Sequence, residues 1–110
     1  MPTATTRPST DDLFKALADP TRREILALLR ERSRSVGDLA ANFYTSRPAI
    51  SKHLRILRDA ALVKDSRSGT SRLCELDAAP LEQIEAWLGE YKRFWDHSLA
   101  RLKAHVERQR

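Results

Sequence analysis

Between Leu81 and Val106 the apolar residues Leu81, Ile84, Leu88, Tyr91, Trp95, Leu99, Leu102 and Val106 recur at steps of three or four. This is the stripe of one long helix, close to a heptad seam. Trp87 and Phe94 widen it on one side. At 1.5 Å per residue the helix spans about 40 Å. The rest of a 110-residue chain is too small a body to cover such a face. Exposed apolar surface of that extent marks an interface. The simplest cover is the same helix of a second copy, since two-fold pairs are the commonest assembly. An early helix carrying Leu13, Phe14 and Leu17 is expected to lie against it. The alternative is that the stripe only closes the chain's own core.

The remaining elements follow from breakers and caps. A polar lead, residues 1–10, with Pro2 and Pro8, lacks the apolar run of a signal peptide and reads as disordered. A first helix is predicted over Asp11–Ala18. Asp19 then caps a second helix that opens on Pro20 and runs to about Arg32. Its inward face is Ile25, Leu26, Leu28 and Leu29. Ser35 caps a short third helix, Val36 to about Phe43. A tight turn over Asn42–Thr45 leads to a fourth helix, capped by Ser46 and ending near Ala60 or Ala61. Ile50, Leu54, Leu57 and Ala61 are its core face. The strand-like runs Leu62–Asp65 and Arg72–Leu76 flank a Gly69-containing loop over Ser66–Ser71 and predict a β-hairpin. Asp77–Pro80 opens the last helix, to about Glu107. The fold class is mainly α with a small β-hairpin.

Net charge is +5, and its location matters more than its size. From Ser33 to Arg72 eight Arg and Lys residues face three Asp residues, so this stretch carries the whole excess. A polyanionic partner is implied. Two helices joined by a tight turn, the second with outward basic residues, form a helix-turn-helix. A major groove admits one such helix, whose early outward residues reach base edges. Ser46, Arg47, Ser51, Lys52 and Arg55 all lie off the apolar stripe. Arg47 has the fork for a bidentate guanine contact, and the two serines suit bases or phosphates. Lys52, Arg55 and Arg58 suit phosphates, which position without reading sequence. Arg67, Ser68, Thr70 and Arg72 place a basic wing at the hairpin tip.

At these residues a resemblance becomes specific. Leu17-Ala18-Asp19-Pro20-Thr21-Arg22-Arg23-Glu24-Ile25-Leu26 resembles the opening signature of the ArsR-type (ArsR/SmtB) winged-helix repressors. Ser46-Arg47-Pro48-Ala49-Ile50-Ser51-Lys52-His53-Leu54 is similar to that family's recognition helix. Leu57–Val63 and Arg67–Arg72 resemble its helix exit and wing. Four fragments in family order are far more specific than any one of them. The resemblance implies a winged helix-turn-helix, dimeric through its terminal helices, that binds operator DNA as a homodimer and represses transcription, its own gene among the candidate targets. The expected organisation is a lead at 1–10, a DNA-binding domain at 11–77 and a dimerisation helix at 78–107. A dimer sets two recognition helices about one DNA turn apart, ~34 Å, matching an inverted repeat. The family often carries His at the place of His53, where it either meets DNA or packs at the helix flank.

Many relatives release DNA on binding a metal. One class uses a Cys-x-Cys pair on the third helix, and Val36–Asn42 here contains no cysteine. Another uses Asp-x-His and His-x-x-His or Glu on the final helices of two subunits. Asp96-His97 and His105-Val106-Glu107 match neither spacing, and adjacent residues point about 100° apart on a helix. No metal or cofactor is expected. An intersubunit metal site built from His97 and His105 remains the alternative reading, as does a winged-helix protein-interaction module, which would favour a neutral or acidic fourth helix. The lone Cys74 cannot form an internal disulfide and fits a reducing, cytoplasmic setting as a small filler. No run is long and apolar enough to span a bilayer, so no membrane partner is expected. A Gly-rich phosphate loop, a nucleophile elbow and paired carboxylates are all missing from the sequence, so an enzyme is not expected.

Overall fold

The computed structural model describes residues 8–109. The chain forms α1 (Thr10–Leu17), α2 (Pro20–Glu31), α3 (Val36–Ala40), α4 (Arg47–Asp59), β1 (Val63–Ser68), β2 (Ser71–Leu76) and α5 (Leu81–Arg108). The expected disordered lead falls mostly on residues 1–7, outside the described residues. Its last residue, Thr10, opens α1. Ser9 caps the helix, its hydroxyl accepting from Asp12 N–H while the Asp12 carboxylate accepts from Ser9 N–H. This capping box satisfies two orphan donors and fixes the helix start.

The starts of α2, α3 and α4 are capped as the sequence predicts. The Asp19 carboxylate accepts from Arg22 N–H, Ser35 Oγ from Asp38 N–H and Ser46 Oγ from Ala49 N–H. Arg22 N–H holds the Asp19 carboxyl below the ordinary carboxylate range; burial opposes this, and the nearby His53 and Arg22 charges add to it. A lowered folded value means the stabilisation is complete above about pH 4 and fades as pH falls through it. Asp19→Ala should therefore cost ~1 kcal/mol at pH 7, and Asp19→Asn much less because asparagine caps equally well. Denaturant melts at pH 7 and pH 3 check this. The penalty of Asp19→Ala should shrink at the lower pH, and an unchanged penalty would show that the ionised cap is not the cause.

Three boundaries differ from expectation. The third helix stops at Ala40 instead of Phe43, and Asn42 Nδ2 donates to the Asp38 carbonyl beyond its end. The fourth helix ends at Asp59. Ala60 is its buried last cap, and Ala61 adopts φ +60°. Ala61 N–H donates to Arg58 O and Leu62 N–H to Leu57 O, the paired bonds of a Schellman stop. Alanine thus occupies a position usually given to glycine, and the chain turns there into β1. The hairpin is longer than the sequence suggested. Pairing runs without a break from Val63↔Leu76 to Ser68↔Ser71, leaving only Gly69 and Thr70 in the loop. Gly69 has φ +63°, as the first residue of a type II′ turn requires. The serine-rich stretch read as loop is mostly strand, because the tight turn sets a register that low strand propensity does not undo.

The core gathers Leu13 and Ala16 of α1, Ile25 and Leu29 of α2, Leu39, then Ile50, Leu54 and Leu57 of α4, closed by Leu62, Val63 and Cys74. Leu26, Leu28, Val36, Phe43, Leu81 and Ile84 pack around it. A third sheet contact was not foreseen. Arg34 bridges to Cys74, with Arg34 N–H donating to Cys74 O at 3.1 Å and Cys74 N–H to Arg34 O at 2.7 Å. The hairpin is therefore hung from the α2–α3 connection as well as from α4. Beyond its first turns α5 leaves the body, and the molecule measures 63 × 42 × 24 Å. Among the described residues no helix is long and apolar enough to cross a membrane.

Candidate nucleic-acid interface

The α3–turn–α4 unit presents the outer face of α4. Ser46, Arg47, Ser51, Lys52 and Arg55 are all exposed there, opposite the buried Ile50–Leu54–Leu57 stripe. Among the described residues Arg47, Lys52 and Arg55 have no ion-pair partner, so their charges are available. Pro48 and Ser51 join Lys52, Arg55 and Arg58 along a shallow groove on this face. Ser46 Oγ accepts the cap bond, which leaves its O–H free to donate outward. Tyr44, in the turn just before it, is also fully exposed. No periodicity singles out a turn residue, so its exposure is not legible from spacing.

The hairpin adds a second cationic element. Arg67 stands directly opposite Arg72, and Ser68 opposite Ser71. Opposed residues share a face, so the two guanidinium groups lie together on the face that also carries Asp65 and Cys74. Like charges so placed repel, and a neighbouring anion relieves the repulsion. Thr70 lies exposed at the tip.

Two expected contact residues are spoken for within the chain. Arg58 donates from Nε and Nη2 to Asp65 Oδ1, at 3.2 and 3.0 Å, and so ties α4 to β1. Its Nη2 also lies 3.7 Å from Cys74 Sγ. Burial pushes the Cys74 thiol up, which keeps it protonated and unreactive near neutral pH. His53 sits on the flank of α4 and turns back to α2. Its Nδ1 is 3.2 Å from Arg22 Nη1 and 3.9 Å from Asp19 Oδ2. A guanidinium only donates, so Nδ1 accepts from it when the ring is neutral. Arg22 also donates to the carbonyls of Ala16 and Lys15. One side chain thus closes the end of α1 and braces α4. Sequence reading assigns Arg22 no such role, because its partners lie in two other elements, α1 and α4.

Arg34, counted with the basic stretch, is not part of this surface. It is 8% exposed, donating to Leu28 O and pairing with Glu31 and Asp38.

The residues expected at a dimer contact divide in two. Leu13 is fully buried in its own core, and Leu17, Leu81 and Ile84 pack against that core. They close the body of one copy, so Leu13 has no surface to offer a second. Phe14, Leu88, Tyr91, Trp95, Leu99 and Leu102 are exposed. Phe14 and Trp87 meet edge to face at 5.2 Å and Trp87 contacts Tyr91 at 5.0 Å, forming an aromatic shelf where α5 leaves the body. His97 and His105 lie on the exposed outer half of α5.

Comparison with known proteins places this geometry. The family model described as bacterial regulatory protein, arsR family, matches residues 19–65, from the cap of α2 into β1. The transcriptional repressor SdpR of Bacillus subtilis is 37% identical over 89 residues, 81% of this chain and 99% of that protein. The HTH-type transcriptional regulator Rv2034 of Mycobacterium tuberculosis is 41% identical over 91 residues, 83% of this chain and 82% of that one. Among solved structures, an ArsR-like transcriptional regulator from Rhodococcus sp. RHA1 superposes with a TM-score of 0.68 at 34% identity, covering 84% of this chain and 88% of that one.

Proposed function

The chain belongs to the ArsR family of bacterial regulatory proteins, and from that premise we propose that it is a homodimeric repressor of an inverted-repeat operator. It is a DNA-binding transcriptional regulator and not an enzyme. The observation that carries the finer reading is one cationic surface built from two elements: the unpartnered Arg47, Lys52 and Arg55 of α4, and the opposed Arg67 and Arg72 of the wing. The helix fits a major groove while the wing follows the neighbouring backbone or minor groove. Arg47, on the first turn, is the base reader. Ser51 supports it, and Lys52 and Arg55 hold phosphates. The exposed outer half of α5 joins two copies and spaces the reading heads.

Electrophoretic shifts with the region upstream of its own gene test this. Tight, salt-sensitive binding to a palindromic segment is expected, and no shift at low salt with any promoter fragment would remove the reading. Arg47→Ala should cost about 1–3 kcal/mol on the operator and little on random DNA. Lys52→Ala should weaken both and lower the salt slope by about one. Equal losses on both DNAs for Arg47→Ala would take base reading away from that residue.

A further inference from the structure

A cavity of about 610 Å³ lies between α3, α4 and the inner face of the hairpin. Its polar walls are Arg47, Arg58, Arg72, Asp65, Ser35 and Ser71. Asp65 is already taken by Arg58, at 3.0 Å. Arg47 and Arg72 have no counter-charge among the described residues, so the cleft holds an excess of positive charge. Arg47 does not simply extend into solvent. It lies over α3, close enough that a Cβ added at Gly37 would sit 3.8 Å from its Nη1. The remaining walls are the apolar Val36 and Leu73, with the buried Cys74 at the base. Such a volume, apolar walls and a few convergent polar groups are the composition of a small-molecule site. A phosphate backbone would need only the charges.

We infer that this cleft is a binding site for a small free oxyanion, a molecule bearing a phosphate or paired carboxylates, and that its occupancy opposes DNA binding. Guanidinium groups match such oxyanions bidentately. The Ser35 hydroxyl adds a donor beside them, and Val36 offers an apolar wall to the body of the molecule. The regulatory consequence rests on the DNA reading above. An anion in the cleft holds Arg47 back over α3 and occupies Arg72, so the base reader and one wing contact leave the DNA together. Coupling is reciprocal, so operator DNA must weaken anion binding by the same factor.

The test uses the full chain without DNA, titrated with pyrophosphate and with citrate at an ionic strength held constant by sodium chloride. Backbone amide shifts are read by NMR. Saturable shifts confined to Val36 and Ser71–Cys74 are expected. Arg72→Gln should weaken binding roughly tenfold, the loss of about one charge-assisted contact. Lys64→Gln, on the opposite face of the hairpin, should change nothing. Both side chains are exposed, so the variants should fold; circular dichroism melts confirm it. Unsaturable shifts spread over all basic residues, or equal affinity in Arg72→Gln, would overturn the site. A second arm adds the same anions to protein–operator complexes. Wild-type affinity should fall and that of Arg47→Ala much less. If DNA binds but the free anions leave the amides unmoved, the cleft serves DNA alone and this inference fails. If the anions saturate but no DNA binds, the operator reading fails and the pocket stands.

Discussion

Changing Leu99 and Leu102 together to glutamate is expected to yield a folded monomer that has lost its hold on the operator. Both side chains are more than half exposed, 62% and 59%, and lie well beyond Leu81 and Ile84, the α5 residues that pack on the core. The substitutions therefore remove nothing from the core of one copy. Glutamate is chosen because it forms helix almost as well as leucine, so α5 persists. A pair of α5 seams would instead have to desolvate four new carboxylates without partners, which is prohibitive. Each copy would then read a half-site alone. Linked half-sites gain about 10²–10⁴-fold in affinity over separate ones, so operator binding should drop by that order. Binding to random DNA should change far less, since the α4 face is untouched. Sedimentation at micromolar concentration and fluorescence anisotropy with operator and random duplexes measure the two effects. A variant that still sediments as a dimer would move the interface away from the outer half of α5.

That prediction draws on a feature the sequence displays openly. The α5 stripe, the amphipathic α4 and the caps at Asp19, Ser35 and Ser46 all rest on contacts within four residues, and local spacing is what a sequence makes visible. The same locality explains the errors. Nothing near Ala61 signals a left-handed residue, because the glycine that usually marks one is missing and the Schellman bonds impose the conformation. Ser66 and Ser68 look like loop, yet they are strand because their partners Leu73 and Ser71 hold the register. The stripe itself was legible as a face but not as two. That Leu81 and Ile84 serve the chain's own core while Leu99 and Leu102 serve none follows only from where α5 leaves the body. Similarly, eight cations in one stretch look alike in sequence. In space, Lys52 and Arg55 face solvent, Arg58 braces the wing and Arg34 is inside.

Arg34 provides the sharpest test of that division. Its backbone pairs with Cys74, and its side chain reaches three acceptors at once: Leu28 O from Nε at 3.2 Å, Glu31 from Nη2 at 3.0 Å and Asp38 from Nη1 at 3.4 Å. The fork thus ties the end of α2 to the start of α3, while the backbone of the same residue holds the edge of the hairpin. Glu31 and Asp38 are 66% and 39% exposed, so water recovers part of what they lose when the cation goes. The Leu28 carbonyl and the vacated volume recover less. Arg34→Ala should therefore destabilise by roughly 2–3 kcal/mol, the scale of hydrogen bonds to a buried charged group. For a domain of this size that lowers Tm by about 10–15 °C at equal protein concentration. Arg34→Lys should fall between, because an ammonium keeps the charge but cannot span three acceptors in the plane of the fork. Operator affinity should change far less than stability, since the backbone bridge to Cys74 and the exposed cations of α4 and the wing are intact. A loss under about 0.5 kcal/mol for Arg34→Ala would be typical of a solvated surface cation. It would mean that the fork adds little to what the backbone bridge to Cys74 already holds.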